Sequence, residues 1–311
     1  MNSLIPSRHA SRRLIAVVST LTFAAISMAA CGSASTGLPA GVVAEVGRTP
    51  ITQATLDQWM TATLGSDYFT VTSHEAPTAL LGAPPDHASC VMELERIVAK
   101  ADARKATGAR IKQLCAELYN AIKEQALTFL ISAQGEVANA AEDGVKVTNR
   151  EVEEAFERVR AKSFPTEANM RTYLAQRHRT LADELLIVKL DVVNDALLKA
   201  YARMVKSGAM SGETKAIEER GIAQNAKLVR ETNCRQGYVV AHCRQYPYYV
   251  PGKIERSYRG APPAKLLFEI GRLEPLTSHG FTGHVQRGPL DTNCRDVDGR
   301  LQCTPIYAKK P

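Results

Sequence analysis

The chain has 311 residues, enough for one sizeable domain or two modest ones. With 45% hydrophobic and 23% charged residues it has a globular composition, which argues against wholesale disorder. The formal charge is +7, but without Arg8, Arg12 and Arg13 only 36 basic side chains face 32 acidic ones, a charge of +4. This excess is small and dispersed, so the composition does not indicate a nucleic-acid partner.

Residues 1–30 have the layout of an export signal peptide. Three arginines without an acid precede "LIAVVSTLTFAAISMAA", seventeen residues without a charge, and Cys31 follows. The segment 28–31 resembles a bacterial lipobox, in which small residues precede a cysteine that is lipidated and becomes the new N-terminus. Residues 31–41 then form a lipidated N-terminus and a flexible, Gly/Ser-rich tether. An uncleaved anchor, or secretion with cleavage nearby, are the alternatives.

The folded region opens at residue 42 with "VVAEV", whose β-branched alternation predicts a short strand. Gly47 ends this strand, and Thr52 is a plausible N-cap for a helix that buries Leu56, Trp59 and Met60. Residues 65–85 have a loop-like composition. Further helices are predicted after Gly108, after a Thr148–Glu151 capping box, through Pro165, and after Thr180.

The chain changes character in the low 200s, and residues 207–311 form a Cys/Tyr/Pro-rich region. Eight of the fifteen prolines and six of the ten tyrosines lie after Cys234. The sequence therefore predicts a mainly helical region, 42–206, and an irregular C-terminal region. The segments "ETNCRQGYVVAHC" and "DTNCRDVDGRLQC" share an acidic-Thr-Asn-Cys-Arg start and the same cysteine spacing, and each predicts a small disulfide-closed hairpin.

The seven cysteines fit an exported protein in an oxidising compartment. If Cys31 is lipidated, an even set of six remains, which allows fifteen pairings. Proximity favours three pairs: Cys90 with Cys115, Cys234 with Cys243, and Cys294 with Cys303. A zinc site is the alternative, but no C-x2-C spacing occurs and the three pairs are far apart in the sequence.

Three segments resemble the SurA/PrsA-type extracytoplasmic chaperones, specifically their N-terminal helical domain. "VVAEVGRTPIT" is similar to the opening strand, turn and helix cap of the family. "GVKVTNREVEEAFERVRAKSFPTEANMRTYLAQRHRTLADELL" is similar to its run of two short helices into a long one. "APPDHASCVMELE" and "IKQLCAELYNAIKEQALTFLI" are similar to cysteine-containing lipoprotein members. The resemblance covers roughly residues 42–205; one difference is Gly135, where such members usually carry a bulky aromatic residue.

The resemblance implies a chaperone-type scaffold. A second difference from the family indicates that the isomerase domain is missing. Many relatives carry a parvulin prolyl-isomerase domain after the long helix, but only 27 residues lie between Lys206 and Cys234. For such a scaffold the working feature is an adaptable apolar surface that buries hydrophobic segments of clients. We expect exposed members of the helical stripes to form it. The candidates are Phe164, Met170, Tyr173 and Met204.

No standard catalytic motif occurs in the sequence, which contains no G-x-S-x-G, P-loop, Rossmann fingerprint or H-E-x-x-H. His279 and His284 lack a nearby carboxylate or thiolate, so no metal site or cofactor is predicted. The expected function is a lipid-anchored holdase on the extracytoplasmic face of the cell membrane, whose partners are unfolded exported polypeptides. The alternatives are a prolyl isomerase with a diverged site and a non-chaperone envelope adaptor.

Overall fold

The computed structural model describes residues 37–100, 107–212, 214–247, 262–271, 292–297 and 300–305. These residues all belong to the second of two units of the chain, Gly37–Pro311. The predicted signal peptide, Cys31, His279 and His284 lie outside the described residues. Among the described residues no helix is long and apolar enough to cross a membrane.

A three-stranded antiparallel sheet lies at the start of this unit, in the order β2–β1–β3. β1 is Val42–Val46, β2 is Thr49–Thr52 and β3 is Thr232–Cys234. β1 is the predicted strand, and the β-branched valines are buried as expected. Gly47, with a φ of +60°, turns the chain into β2, which the sequence reading did not predict. Ala44 pairs with Ile51 on one side and with Cys234 on the other.

Eight α-helices occur in the described residues, which confirms the mainly helical fold class. They are α1 Gln53–Thr72, α2 Ala88–Lys100, α3 Gly108–Glu142, α4 Asn149–Ser163, α5 Glu167–Gln176, α6 Leu181–Lys206, α7 Thr214–Glu231 and α8 Pro263–Gly271. Five of them begin after a threonine whose side chain accepts a hydrogen bond from the first turn, and such caps each stabilise a helix by about 1 kcal/mol. These threonines are Thr52, Thr107, Thr148, Thr166 and Thr180.

The predicted loop at 65–85 is only partly correct. α1 continues to Thr72, and a 3₁₀ turn, Thr78–Leu81, follows it. α1 continues past Gly65 because the turn between α5 and α6 packs on it there. A Cβ atom on Gly65 would lie 2.6 Å from the carbonyl carbon of Arg177 and 2.8 Å from the ring of His178.

The main core is formed by α1, α2, α3 and α8 beneath the sheet. Leu56, Leu118 and Ile122 are fully buried in it, and the rings of Trp59 and Phe129 meet with centroids 4.5 Å apart. α8 contributes three side chains that are no more than 1% exposed, Leu266, Leu267 and Ile270. Residues on both sides of the predicted 206/207 boundary therefore share one core.

The C-terminal region is less irregular than predicted, because it contains α7, α8 and two paired strands. α7 packs on α3 where Leu228 lies against Gly135; a Cβ on Gly135 would be 2.7 Å from the Leu228 Cδ1. A glycine at position 135 therefore gives Leu228 the space that a larger side chain would fill.

Two of the three predicted disulfides are confirmed. Cys90–Cys115 joins α2 to α3, and Cys234–Cys243 closes the loop after β3. The first repeat is not a self-contained hairpin as predicted, since β3 pairs with β1. The second repeat is a hairpin of β4 Thr292–Val297 and β5 Arg300–Pro305, in which Cys294 stands opposite Cys303 in the register. A bridge between these two residues stays a prediction.

Candidate functional site

The predicted client-binding residues lie in two places. Phe164, Met170 and Tyr173 form a small apolar cluster with Leu174 at the α4–α5 junction. The rings of Phe164 and Tyr173 are 5.0 Å apart, and Tyr173 is only 3% exposed, so it offers little surface to a partner. Met204 is half-buried near the end of α6. The structure therefore brings three of the four candidates together and separates the fourth.

Beside this apolar cluster, the turn between α5 and α6 contributes two partly buried arginine side chains, Arg177 and Arg179. The Arg177 guanidinium is stacked between two rings, 4.1 Å from the centroid of Tyr173 and 4.5 Å from that of Phe69. Arg179 forms a buried ion pair with Glu184, with 3.2 Å between Nη1 and Oε2. Burial raises the pKa of Glu184 and lowers that of Arg177. These contacts fix the turn, and a buried ion pair of this kind is weak evidence for a ligand site.

Asp67 of α1 is half-buried and lies within the field of Arg179 from this turn. Gln125 Nε2 of α3 donates to Asp67 Oδ2 over 3.1 Å. Burial raises the pKa of Asp67 to about 6, although the Gln125 hydrogen bond and the charge of Arg179 act in the opposite direction. The group is thus partly protonated near neutral pH, and it connects α1 and α3 at the α5–α6 turn.

A groove between α3, α6 and α7 is a candidate binding site in the described part of the chain. It has a volume of about 440 Å³. We call it the α6 groove, because six of its eight lining residues come from that helix. The lining residues are Glu136, Leu190, Asp191, Asn194, Leu197, Leu198, Tyr201 and Gln224. Those from α6 recur at three- and four-residue spacing, which places them on one face of the helix.

The base of the α6 groove is held by a polar network around Asp143, whose side chain is 4% exposed. Its carboxylate accepts hydrogen bonds from the Tyr201 hydroxyl (2.8 Å), from Gln224 Nε2 (3.2 Å) and from Arg220. Gln224 Nε2 also donates to the Tyr201 hydroxyl over 3.3 Å. This network joins the end of α3 to α6 and α7, so the three walls of the groove are fixed relative to one another.

Apolar side chains continue from the α6 groove along α6. Leu198 is 59% exposed and Val205, two turns further on, is 36% exposed. Together with Tyr201 and Met204 they form what we call the α6 strip. Three of the four most exposed large apolar side chains among the described residues lie on α6, namely Leu181, Leu198 and Val205, and the fourth, Met92, lies on α2.

The sequence reading found Met204 but missed Leu198 and the acidic residues beside it. The three- and four-residue spacing of apolar residues in α6 predicts an apolar stripe. It does not show which of these residues stay exposed when α3 and α7 pack against the helix. Among the described residues no group of three histidine, cysteine, aspartate or glutamate side chains is arranged to hold a metal ion.

No family model, no curated protein and no solved structure matches this chain. The fold and the site define a mainly helical, disulfide-containing protein with an amphipathic groove that is lined mainly by α6.

Proposed function

We propose that this protein is a membrane-tethered, extracytoplasmic lipoprotein that holds unfolded exported polypeptides, a chaperone-like function without catalysis. The observation that carries the proposal is the α6 strip, whose exposed leucine and valine adjoin a ready-made groove. Single exposed apolar residues are ordinary on protein surfaces, but a row of them beside a groove indicates a binding surface.

The energetics suit a holdase. A client leucine or phenylalanine that leaves water against such a strip gains at most about 1.5–3 kcal/mol. A few contacts of this size give binding weak enough to be released without an energy source, because ordering of the flexible client opposes them. The polar network around Asp143 holds Tyr201, one member of the strip, through a hydrogen bond from its hydroxyl.

The tether rests on the sequence of the N-terminus. The export signal, the lipobox-like 28–31 segment and the following Gly/Ser-rich residues support an anchor on the outer face of the membrane. The two disulfides in the described residues are consistent with an oxidising compartment.

The test compares two substitutions of exposed apolar residues in the full chain. Leu198→Gln removes the most exposed member of the α6 strip, and Met92→Gln removes the similarly exposed side chain of α2. Light scattering of a denatured client that aggregates on dilution measures holding. We expect the native protein and Met92→Gln to suppress aggregation equally, and Leu198→Gln to require several times more protein for the same effect.

Absence of suppression by the native protein at stoichiometric amounts would contradict the holdase proposal and favour an envelope adaptor. A parallel measurement with a proline-containing peptide distinguishes the remaining alternative, since catalysed isomerisation by the native protein would favour a diverged isomerase. Equal suppression by Leu198→Gln and Met92→Gln would show that clients do not bind at the α6 strip.

A further inference from the structure

The last ten residues of α6, 197–206, combine exposed apolar side chains with positive charge. They include three basic residues and no acidic one. The basic residues are Lys199, Arg203 and Lys206, which are all exposed and form no ion pair with another described residue. Basic residues near the end of a helix interact favourably with its dipole, but this effect does not account for the exposed Leu198 and Val205 beside them. The two properties together indicate a surface for a partner that is apolar and negatively charged.

Helix geometry places the apolar and the basic side chains next to each other. At about 100° per residue, Leu198, Ala202 and Val205 lie within about 60° of one another on the face of α6 that is open to solvent. The three basic residues lie along one edge of this face, and the half-buried Tyr201 lies along the other. A helix with this distribution is suited to lie in the plane of a membrane surface, because its apolar side chains enter the lipid while lysine and arginine keep their charged ends among the headgroups.

The proposed lipid anchor keeps this surface close to a bilayer. Cys31 and Val42, the first residue of β1, are 11 positions apart. A chain of that length spans no more than about 40 Å when it is fully extended. The 26 residues of α6 alone extend over about 39 Å. So short a tether presents the folded region to the membrane at an effective concentration on the order of millimolar, so a weak additional contact is sufficient.

Resting on the proposed function and its anchor, we infer that the α6 strip docks on an anionic lipid surface when no client is bound. Acidic headgroups attract Lys199, Arg203 and Lys206, and Leu198 and Val205 enter the boundary between headgroups and acyl chains. Three basic residues near such a surface strengthen binding on the order of a hundredfold. A client uses the same apolar side chains, so lipid and client compete for the strip and contact with the membrane regulates holding.

The test measures whether α6 enters a bilayer. Lipidated protein extracted from membranes is reconstituted into phosphatidylcholine vesicles with or without phosphatidylglycerol. Ala202→Cys carries a polarity-sensitive dye on the exposed face of α6, and Met92→Cys carries the same dye on the exposed side of α2. The native cysteines are predicted to be lipidated or paired, so only the introduced thiol reacts with the dye. Spin-labelled lipids quench a dye that enters the bilayer.

Two triple variants, each combined with the dye on α6, separate the basic residues from the total charge. The first is Lys199→Gln/Arg203→Gln/Lys206→Gln. The control, Lys112→Gln/Arg158→Gln/Lys162→Gln, also removes two lysines and one arginine, from exposed positions on α3 and α4. All six side chains are exposed, so both variants should unfold at the urea concentration of the native protein.

We expect the dye on α6 to be quenched several times more strongly in vesicles with phosphatidylglycerol than in vesicles without it, and the dye on α2 to be quenched in neither. The control variant should keep this quenching and the α6 variant should lose it. Raised salt should weaken it, because the attraction to the headgroups is screened. A denatured client should also weaken it, since the client displaces the lipid from the strip.

The contrary results differ in what they say of the proposed function. Equal quenching of the two dyes, or unchanged quenching in the α6 variant, would overturn the docking while the anchor and the holdase proposal stand. A client that is held without any loss of quenching would overturn the competition. A protein that carries no lipid at Cys31 and leaves the vesicles would overturn the anchor and this inference together, whereas suppression of aggregation tests the holdase proposal independently.

Discussion

Asp67 shows how one residue acquires its properties from distant parts of the chain. It lies in the second half of α1, receives a hydrogen bond from Gln125 of α3, and lies within the field of Arg179 from the α5–α6 turn. In an unfolded chain the carboxyl group would have its ordinary pKa of 3.8, but in the folded protein burial raises that pKa to about 6. The folded state therefore binds a proton that the unfolded state has already released between these two pH values.

This difference predicts that the contribution of Asp67 to the stability of the native protein declines as the pH rises from about 4 to about 6. A shift of about two pH units corresponds to at most about 3 kcal/mol of unfolding free energy from this residue. Asp67→Asn, which keeps the size and an oxygen acceptor, should remove that part of the decline. Urea unfolding at several pH values between 4 and 7 measures it.

Asp195→Asn, at an exposed position of α6, is the matched control and should leave the decline unchanged. Glu184 and Glu136 also have raised pKa values and contribute to the decline in every variant, so the informative quantity is the difference between native and variant profiles. Parallel profiles for the native protein and Asp67→Asn would contradict the prediction.

Residues whose role is local were predictable from the sequence, and Asp67 was not. Thr148 and Glu151 are a capping pair within four positions, and the structure shows the reciprocal bonds. Thr180 forms the same reciprocal bonds with Asp183, whereas the side chain of Thr52 only accepts a hydrogen bond from the Thr55 N–H. The surroundings of Asp67 include Gln125 of α3 and Arg179, which lies more than a hundred residues further along the chain, and no local pattern encodes them.

At the scale of elements, the length of α1 also could not be predicted from local sequence, because it depends on contact with the α5–α6 turn. After Gly65 the helix contains Ser66, Thr70 and Thr72, whose hydroxyl groups donate to backbone carbonyls one turn earlier. Serine and threonine have a low helix propensity, and such hydrogen bonds slightly destabilise a helix. Local propensity therefore predicted a loop from residue 65. Packing of the turn on Gly65 compensates for this weakness and carries the helix on to Thr72.

Gly65→Ala should therefore destabilise the protein, although alanine favours a helix more than glycine does. The new methyl group would overlap backbone atoms of Arg177 that cannot move aside cheaply, at a cost of about 1–3 kcal/mol. Chemical denaturation measures the loss.

The control is Gly221→Ala in α7, where nothing lies within 4 Å of the added atom. That substitution should be neutral or should raise the unfolding free energy by up to about 1 kcal/mol, the difference in helix propensity. Equal effects of the two substitutions would show that the contact at Gly65 does not determine the length of α1.

For the whole molecule, the sequence predicted the mainly helical class, the opening strand and two disulfides, but not how far the core extends. The proline- and tyrosine-rich composition after residue 206 favoured an irregular tail. Yet the nine-residue helix α8 places Leu266, Leu267 and Ile270 in the core, where α8 packs on α1 and α3. A short apolar run in a proline-rich region cannot be assigned to the core from its own sequence, because its burial depends on distant helices that pack against it.

The proposed location gives a prediction for the intact molecule. Protein extracted from membranes should have a mass that corresponds to a chain starting at a lipid-modified Cys31. Alkylation without a reductant should find no free thiol, because the remaining six cysteines are paired. Mass spectrometry measures both quantities in one sample.

Cys31→Ala is the matched variant, and it should not carry the lipid or remain with the membrane fraction. A native protein with an unmodified Cys31 would contradict the anchor and leave an unpaired thiol. Alkylation of Cys294 or Cys303 would contradict the third bridge alone.

The central position of β1 in its sheet has a consequence for the order of events during synthesis. β1 leads the folded region, yet one of its two neighbours is β3, and Ala44 must wait for Cys234, 190 positions later, before the sheet is complete. Closing so long a separation is slow, and until then one edge of β1 lies open to other strands. For most of its own synthesis this chain is therefore an incompletely folded polypeptide, the kind of molecule that the finished protein is proposed to hold.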